Sequence, residues 1–229
     1  MAASRIIERK TDDNLGDWYY NANPYYQRGY GLPNCTCYAW GRLSEICNAP
    51  VTFYGGNAIM WANRSEMKQI SSPKVGSCII YSGGITDSYG RLCGHIGVIE
   101  HLYEDGSIDV SMSSFGGYMW RLYRLSPGDN YHIPDSYGLT FVGFFMYDGV
   151  QAIYDQEARI QQEKKEAAYN QLRKSVELRS IQPVDDLLIP SYIDSEKVYL
   201  NSLDALPMVI CIGLLLIKKL LNSCLIFVS

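Results

Sequence analysis

The sequence has seven cysteines but no Cys-x-x-Cys pair, so neither a disulfide framework nor a zinc site is indicated. It has no basic excess either. Lys plus Arg number 20 against 24 Asp plus Glu, which argues against nucleic acid as a partner. The opening Met1-Ala-Ala-Ser-Arg-Ile-Ile-Glu-Arg-Lys10 has no apolar core, so no secretory signal peptide is read there. Near the C-terminus the thirteen uncharged residues 205–217 fall short of a spanning helix, and Lys218-Lys219 break the apolar run. A spanning helix needs about 20 apolar residues. That tail is open to three readings: a helix packed on a partner, a segment without defined structure, or a membrane-associated end with snorkelling lysines. What the chain does have is globular composition, 47% hydrophobic and 19% charged, which excludes wholesale disorder.

Glycine and tryptophan draw an internal boundary. Nineteen of 20 Gly and all four Trp lie at or before residue 149. Residues 150–182 contain neither Gly nor Pro and are rich in Gln, Glu, Lys and Ala, the composition of a long exposed helix. The organisation read from this is a folded domain at 1–149, a charged helix at 150–182, a linker at 183–204 and an apolar tail at 205–229. Self-association or membrane contact is open for 150–229.

Within 1–149 the expectation is α+β, with helices first and an antiparallel sheet after them. Asn34 is a good N-cap for a helix over 34–46, and 56–67 is a second helical candidate. Strands are expected at 77–81, 95–103, 107–113, 118–125 and 140–147. Asp105-Gly106 favours a tight hairpin between the second and third of these. A two-residue turn there sets Ser114 opposite Gly97 and Met112 opposite Ile99.

Cys35 stands at the expected N-terminus of the first helix, where the helix end and unpaired N–H groups favour thiolate. Only three His exist. His95, in Gly94-His95-Ile96-Gly97-Val98-Ile99-Glu100, opens a strand between small residues. A thiol at a helix start and an imidazole at a strand start supply nucleophile and base for acyl transfer. Asn34 reads either as a plain N-cap or as an oxyanion donor beside the Cys35 N–H. Tyr25, Tyr26 and Tyr30, just before the nucleophile, read either as packing residues or as the lining of a cleft.

The block Gly29-Tyr30-Gly31-Leu32-Pro33-Asn34-Cys35-Thr36-Cys37-Tyr38-Ala39-Trp40-Gly41-Arg42 resembles the Cys block of the CHAP family, the cysteine- and histidine-dependent amidohydrolases/peptidases. Gly94–Glu100 resembles its His block. Asn57-Ala58 with Trp61, and then Pro73-Lys74-Val75-Gly76, resemble the segments between them. The likeness covers roughly 20–148 and is nearest to lysins and tail-associated hydrolases of tailed bacteriophages. It implies a papain-like (NlpC/P60-type) fold, bacterial peptidoglycan as substrate, amidase or endopeptidase chemistry, and no cofactor or metal. It also implies a host-cytoplasmic or virion-borne location. The nucleophile is then Cys35 and the base His95. The family places Glu, Asp or Asn on the next strand to orient the His; here Met112 stands at that position, a thioether expected to be no useful acceptor for the imidazole N–H, with Ser114 as a hydroxyl substitute of the same parity. Met112 also favours a rival reading, a virion structural component with a degenerate site.

Overall fold

The computed structural model describes residues 6, 8–134, 136 and 138–180. The expected linker at 183–204 and apolar tail at 205–229 lie outside the described residues. The chain divides into two units, 1–170 and 171–229; the sheet and the cleft belong to the first.

A short helix α1 (Pro24–Gln27) is followed by α2 (Cys35–Cys47). Asn34 is its N-cap, as the sequence indicates, and Asn48 closes it in the left-handed conformation (φ 49°), a role asparagine tolerates. The expected helix over 56–67 is reduced to a 3-10 segment at Ala58–Asn63, and Met67 instead begins a strand, β1 (Met67–Ile70). Four residues give no strand period of their own. Pairing with the last strand of the sheet, where Met67 meets Tyr147 and Ile70 meets Phe144, makes this segment extended.

The other strands are β2 (Cys78–Gly83), β3 (His95–Leu102), β4 (Ile108–Met112), β5 (Arg121–Leu125) and β6 (Leu139–Tyr147). They form one six-stranded antiparallel sheet in the order β1-β6-β2-β3-β4-β5. Strand alternation splits the core in two. One face, with Cys78, Ile80, Ile96, Val98 and Phe145, packs with Trp40 and Leu43 of α2. The opposite face carries Ile79, Tyr81, Ile99, Val110, Met112 and Phe144, together with Ile133 from the loop before β6. This is the α+β arrangement expected of a papain-like CHAP fold.

The β3–β4 register differs from the sequence expectation by two residues. Ile99 pairs with Val110 and Val98 with Ser111, so Met112 comes level with Gly97 rather than Ile99. Two local features cause the shift. A bulge lies between Ile99 and His101, and the turn is wider than two residues, with Tyr103 N–H donating to Ser107 O at 2.9 Å and Gly106 at φ +83°.

The last helix, α3 (Asp148–Ser180), begins inside the domain. Val150 is fully buried in the α2-side core, and Tyr154 OH donates to Val75 O at 2.9 Å. The packing therefore runs past the glycine boundary at 149. No helix among the described residues is long and apolar enough to cross a membrane.

A buried ion pair joins α2 to β3. Arg42, 4% exposed, and Glu100, 1% exposed, form a two-pronged contact: Nε to Oε1 at 2.9 Å and a terminal nitrogen to Oε2 at 2.7 Å. Ser111 Oγ donates to Oε1 at 2.5 Å and the Arg9 backbone N–H to Oε2 at 2.8 Å. Both carboxylate oxygens are thereby saturated, which is what a charge this deep requires. Glu100 thus faces α2, on the side of β3 away from His95.

Candidate active site

The first turn of α2 positions Cys35. Asn34 Oδ1 accepts from Thr36 N at 2.9 Å, Cys37 N at 3.0 Å and Thr36 Oγ1 at 2.7 Å. Three donors on one oxygen fix the carboxamide orientation, so its nitrogen is the edge turned away from the helix. The Asn34 backbone N–H donates to Ser113 Oγ at 3.0 Å, and that hydroxyl donates to Tyr118 O at 3.1 Å. Ser113 therefore pins the start of α2 to the end of β4. Sequence motifs do not single it out; the available signal is strand parity, which puts Ser111 and Ser113 on the α2 face of β4 and Met112 on the other.

Cys35 is half-buried. Burial pushes its thiol up to about 11, against the pull of the Ile96, Thr36 and Cys35 backbone N–H groups. Those donors place the sulfur against the start of β3. Cys37 is fully buried, with Sγ directed at Tyr19 O at 3.8 Å. The two thiols of the Cys-Thr-Cys run thus part company: one opens on the cleft and the other is core.

His95 is the first residue of β3 and is 8% exposed. Burial lowers its imidazole to about 4. Its ring lies near Tyr81, with centroids 6.5 Å apart. Its Nε2 lies 3.2 Å from Met112 Sδ. Met112 is thus the β4 side chain that meets the His95 ring. Ser114 opens on the same cleft but makes no hydrogen bond to His95; its backbone N–H donates to Tyr118 O at 3.0 Å. No hydrogen bond joins Cys35 to His95 in this resting state. Catalytic contacts are often long in an unliganded site and tighten when substrate binds.

Cys35, His95, Asn34 and Ser114 all open on one cleft of about 820 Å³. Of the tyrosines singled out in the sequence, Tyr30 lines it and is 57% exposed. Tyr25 borders the cleft as packed wall, 4% exposed, its hydroxyl accepting from Gly55 N at 3.2 Å and Trp61 Nε1 at 3.3 Å. Tyr26 is exposed and packs edge-on against Tyr20, 5.6 Å between centroids; it is not part of the lining. Tyr54, Tyr89, Phe115 and Tyr118 supply further aromatic lining. They come from loops distant in sequence and carry no motif of their own.

One loop wall has a visible organiser. Asp87 Oδ1 accepts from the Tyr89 and Arg91 backbone N–H groups at 2.9 and 3.0 Å. Its Oδ2 accepts from Arg91 Nε at 2.8 Å and Asn57 Nδ2 at 2.9 Å. Asn57 thus ties the β2–β3 loop to the segment before the 3-10 turn. Among the described residues no group of His, Cys, Asp and Glu side chains is arranged to hold a metal ion.

No curated protein and no solved structure matches the chain. Residues 14–114, which hold α2, β3, β4 and both candidate reacting groups, match the model of the CHAP domain family.

Proposed function

We propose that the protein hydrolyses an amide bond of bacterial peptidoglycan through a Cys35 thioester. One observation carries this reading: inside the matched CHAP domain, the thiol at the start of α2 and the imidazole at the start of β3 open on a single cleft. His95 takes the Cys35 proton as Sγ attacks the carbonyl carbon. The C–N bond then breaks, and the leaving amine takes that proton back. Water, deprotonated by the same imidazole, cleaves the thioester and restores the thiol. Negative charge on the attacked oxygen is met by the Cys35 backbone N–H and by the Asn34 carboxamide nitrogen, whose oxygen is already committed to the helix. The aromatic lining, Tyr30 among it, offers flat apolar faces to sugar rings or to the stem peptide.

The setting we attach to this activity is that of a tailed-phage lysin, acting from the host cytoplasm or the virion. Its support is the likeness of the Cys and His blocks to those of such lysins. The experiment is digestion of purified cell walls by wild type and Cys35→Ala, with mass spectrometry of the products. New amino ends with a free muramic lactyl group mark an amidase, and new peptide ends mark an endopeptidase. No release by the wild type overturns the proposal. A second reading, a structural component with a degenerate site, is favoured by the thioether at His95 Nε2. It is supported if wild type and Cys35→Ala release equally little.

A further inference from the structure

We infer that the Met112 thioether is the hydrogen-bond acceptor that holds His95 as its Nε2–H tautomer, leaving the Nδ1 lone pair to serve as the base. The inference rests on the hydrolase reading for its kinetic consequence, but not for its geometry.

A thioether sulfur carries lone pairs and no hydrogen, so it can accept and never donate. An imidazole nitrogen 3.2 Å from Met112 Sδ must therefore bring the proton itself. A neutral ring has one N–H. With that proton on Nε2, the Nδ1 lone pair is the free basic site, and it is the Nδ1 edge that remains for the cleft on which His95 opens. In the opposite tautomer, lone pair would face lone pair in a dry pocket. Met112 is fully buried, so no water is at hand to relieve that clash.

The surrounding sequence is built for this contact. Gly97 lies level with Met112 across the β3–β4 ladder. A Cβ at Gly97 would sit 3.0 Å from Met112 Cε and 2.5 Å from Val110 Cγ1. The missing side chain is thus what lets the methionine lie across β3 and reach a ring two residues away. Met112 is held on its other sides by the apolar cluster of Ile79, Ile99, Val110 and Ile133, so the sulfur keeps its place. The arrangement differs from a carboxylate in one respect: it fixes the direction of the ring while adding no charge to stabilise imidazolium. Met112 is accordingly a positioning residue, acting on the reaction through His95.

The test uses the full chain. Two-bond ¹H–¹⁵N correlation at neutral pH reads the histidine tautomers directly, with His95→Gln identifying the His95 signals. The expected wild-type result is a protonated, pyrrole-like Nε2 and an unprotonated Nδ1. Met112→Leu keeps the volume and removes the acceptor. It should give a mixed tautomer population and a kcat on cell walls roughly fivefold lower, with KM within twofold. Met112→Gln, whose carboxamide oxygen can accept from Nε2, should restore both. A protonated Nδ1 in the wild type overturns the inference, as does an unaltered tautomer in Met112→Leu. The spectra need no turnover, so an inactive wild type with the Nε2–H signature refutes the hydrolase reading and leaves this one standing.

Discussion

Replacing Glu100 by Gln would remove the negative half of the buried ion pair and keep nearly the same shape. The side chains of Arg42 and Glu100 are 4% and 2% exposed. Breaking a pair this deep by removing one partner typically costs 3–5 kcal/mol, because the survivor's charge stays buried without compensation. Here the loss is partly cushioned. Arg42 keeps a second carboxylate, with a terminal nitrogen 2.7 Å from Glu45 Oε2. The amide oxygen, at either carboxylate position, can also still accept from two of the three groups that now address the two oxygens, Arg42 and either Ser111 or the Arg9 N–H. The lower end of the range, about 3 kcal/mol, is therefore the expected cost. For a chain of this size each kcal/mol moves the midpoint by about 2–4 °C, so thermal unfolding followed by circular dichroism should fall by about 6–12 °C. Glu104→Gln, an exposed carboxylate on the β3–β4 turn, is the control, with a change within about 0.5 kcal/mol. The double variant Arg42→Met with Glu100→Leu should be more stable than Glu100→Gln, since no buried charge is left alone. A midpoint shift below about 2 °C for Glu100→Gln, or a double variant worse than the single, would refute this account of the pair.

Cys35→Ser should abolish wall hydrolysis, whereas Cys37→Ser should keep most of it, because a core hydroxyl can still donate to Tyr19 O; the reverse pattern in a turbidity assay would overturn the assignment. His95 gives stability a pH dependence of known sign. Its imidazole is held at about 4 instead of 6.5 when folded, so its contribution is complete above pH 6.5 and is lost as pH falls towards 4. The total is about 3 kcal/mol from 1.36 kcal/mol per unit. Urea unfolding from pH 7 to 4 should show this slope, and His95→Leu should flatten it; equal slopes would contradict the burial argument. Truncation at 160 should leave a domain that melts several degrees above one cut at 149, since the shorter piece loses Val150 from the core and the Tyr154–Val75 bond. Identical melting curves would show that the first turns of α3 contribute nothing.

The sequence alone determined what depends on local chemistry. Asn34 before an apolar period defines the start of α2, because its side chain can cap two N–H groups wherever the helix ends up. The Gly- and Pro-free stretch after 149 defines α3 through propensity. The runs of β-branched and aromatic residues define five of the six strands. The Cys and His blocks carry the resemblance to the CHAP family, whose model matches 14–114, and the preference for Cys35 over Cys37 is what that resemblance implies. Only the tertiary structure decided what depends on pairing across distance. β1 is extended because β6 offers it a ladder, not because four residues demand it. The bulge after Ile99 and the wider turn move Met112 level with Gly97, and no pattern within either strand encodes that slip. The same slip decides which atom meets His95. In the sequence a methionine at this position reads as a poor acceptor for the ring, and Ser114 as its substitute. In the folded domain Met112 is buried beside a glycine that makes room for it, and its sulfur is the group at Nε2. A hydrogen bond depends on distance and direction, and both are set by the register of two strands and the packing behind them.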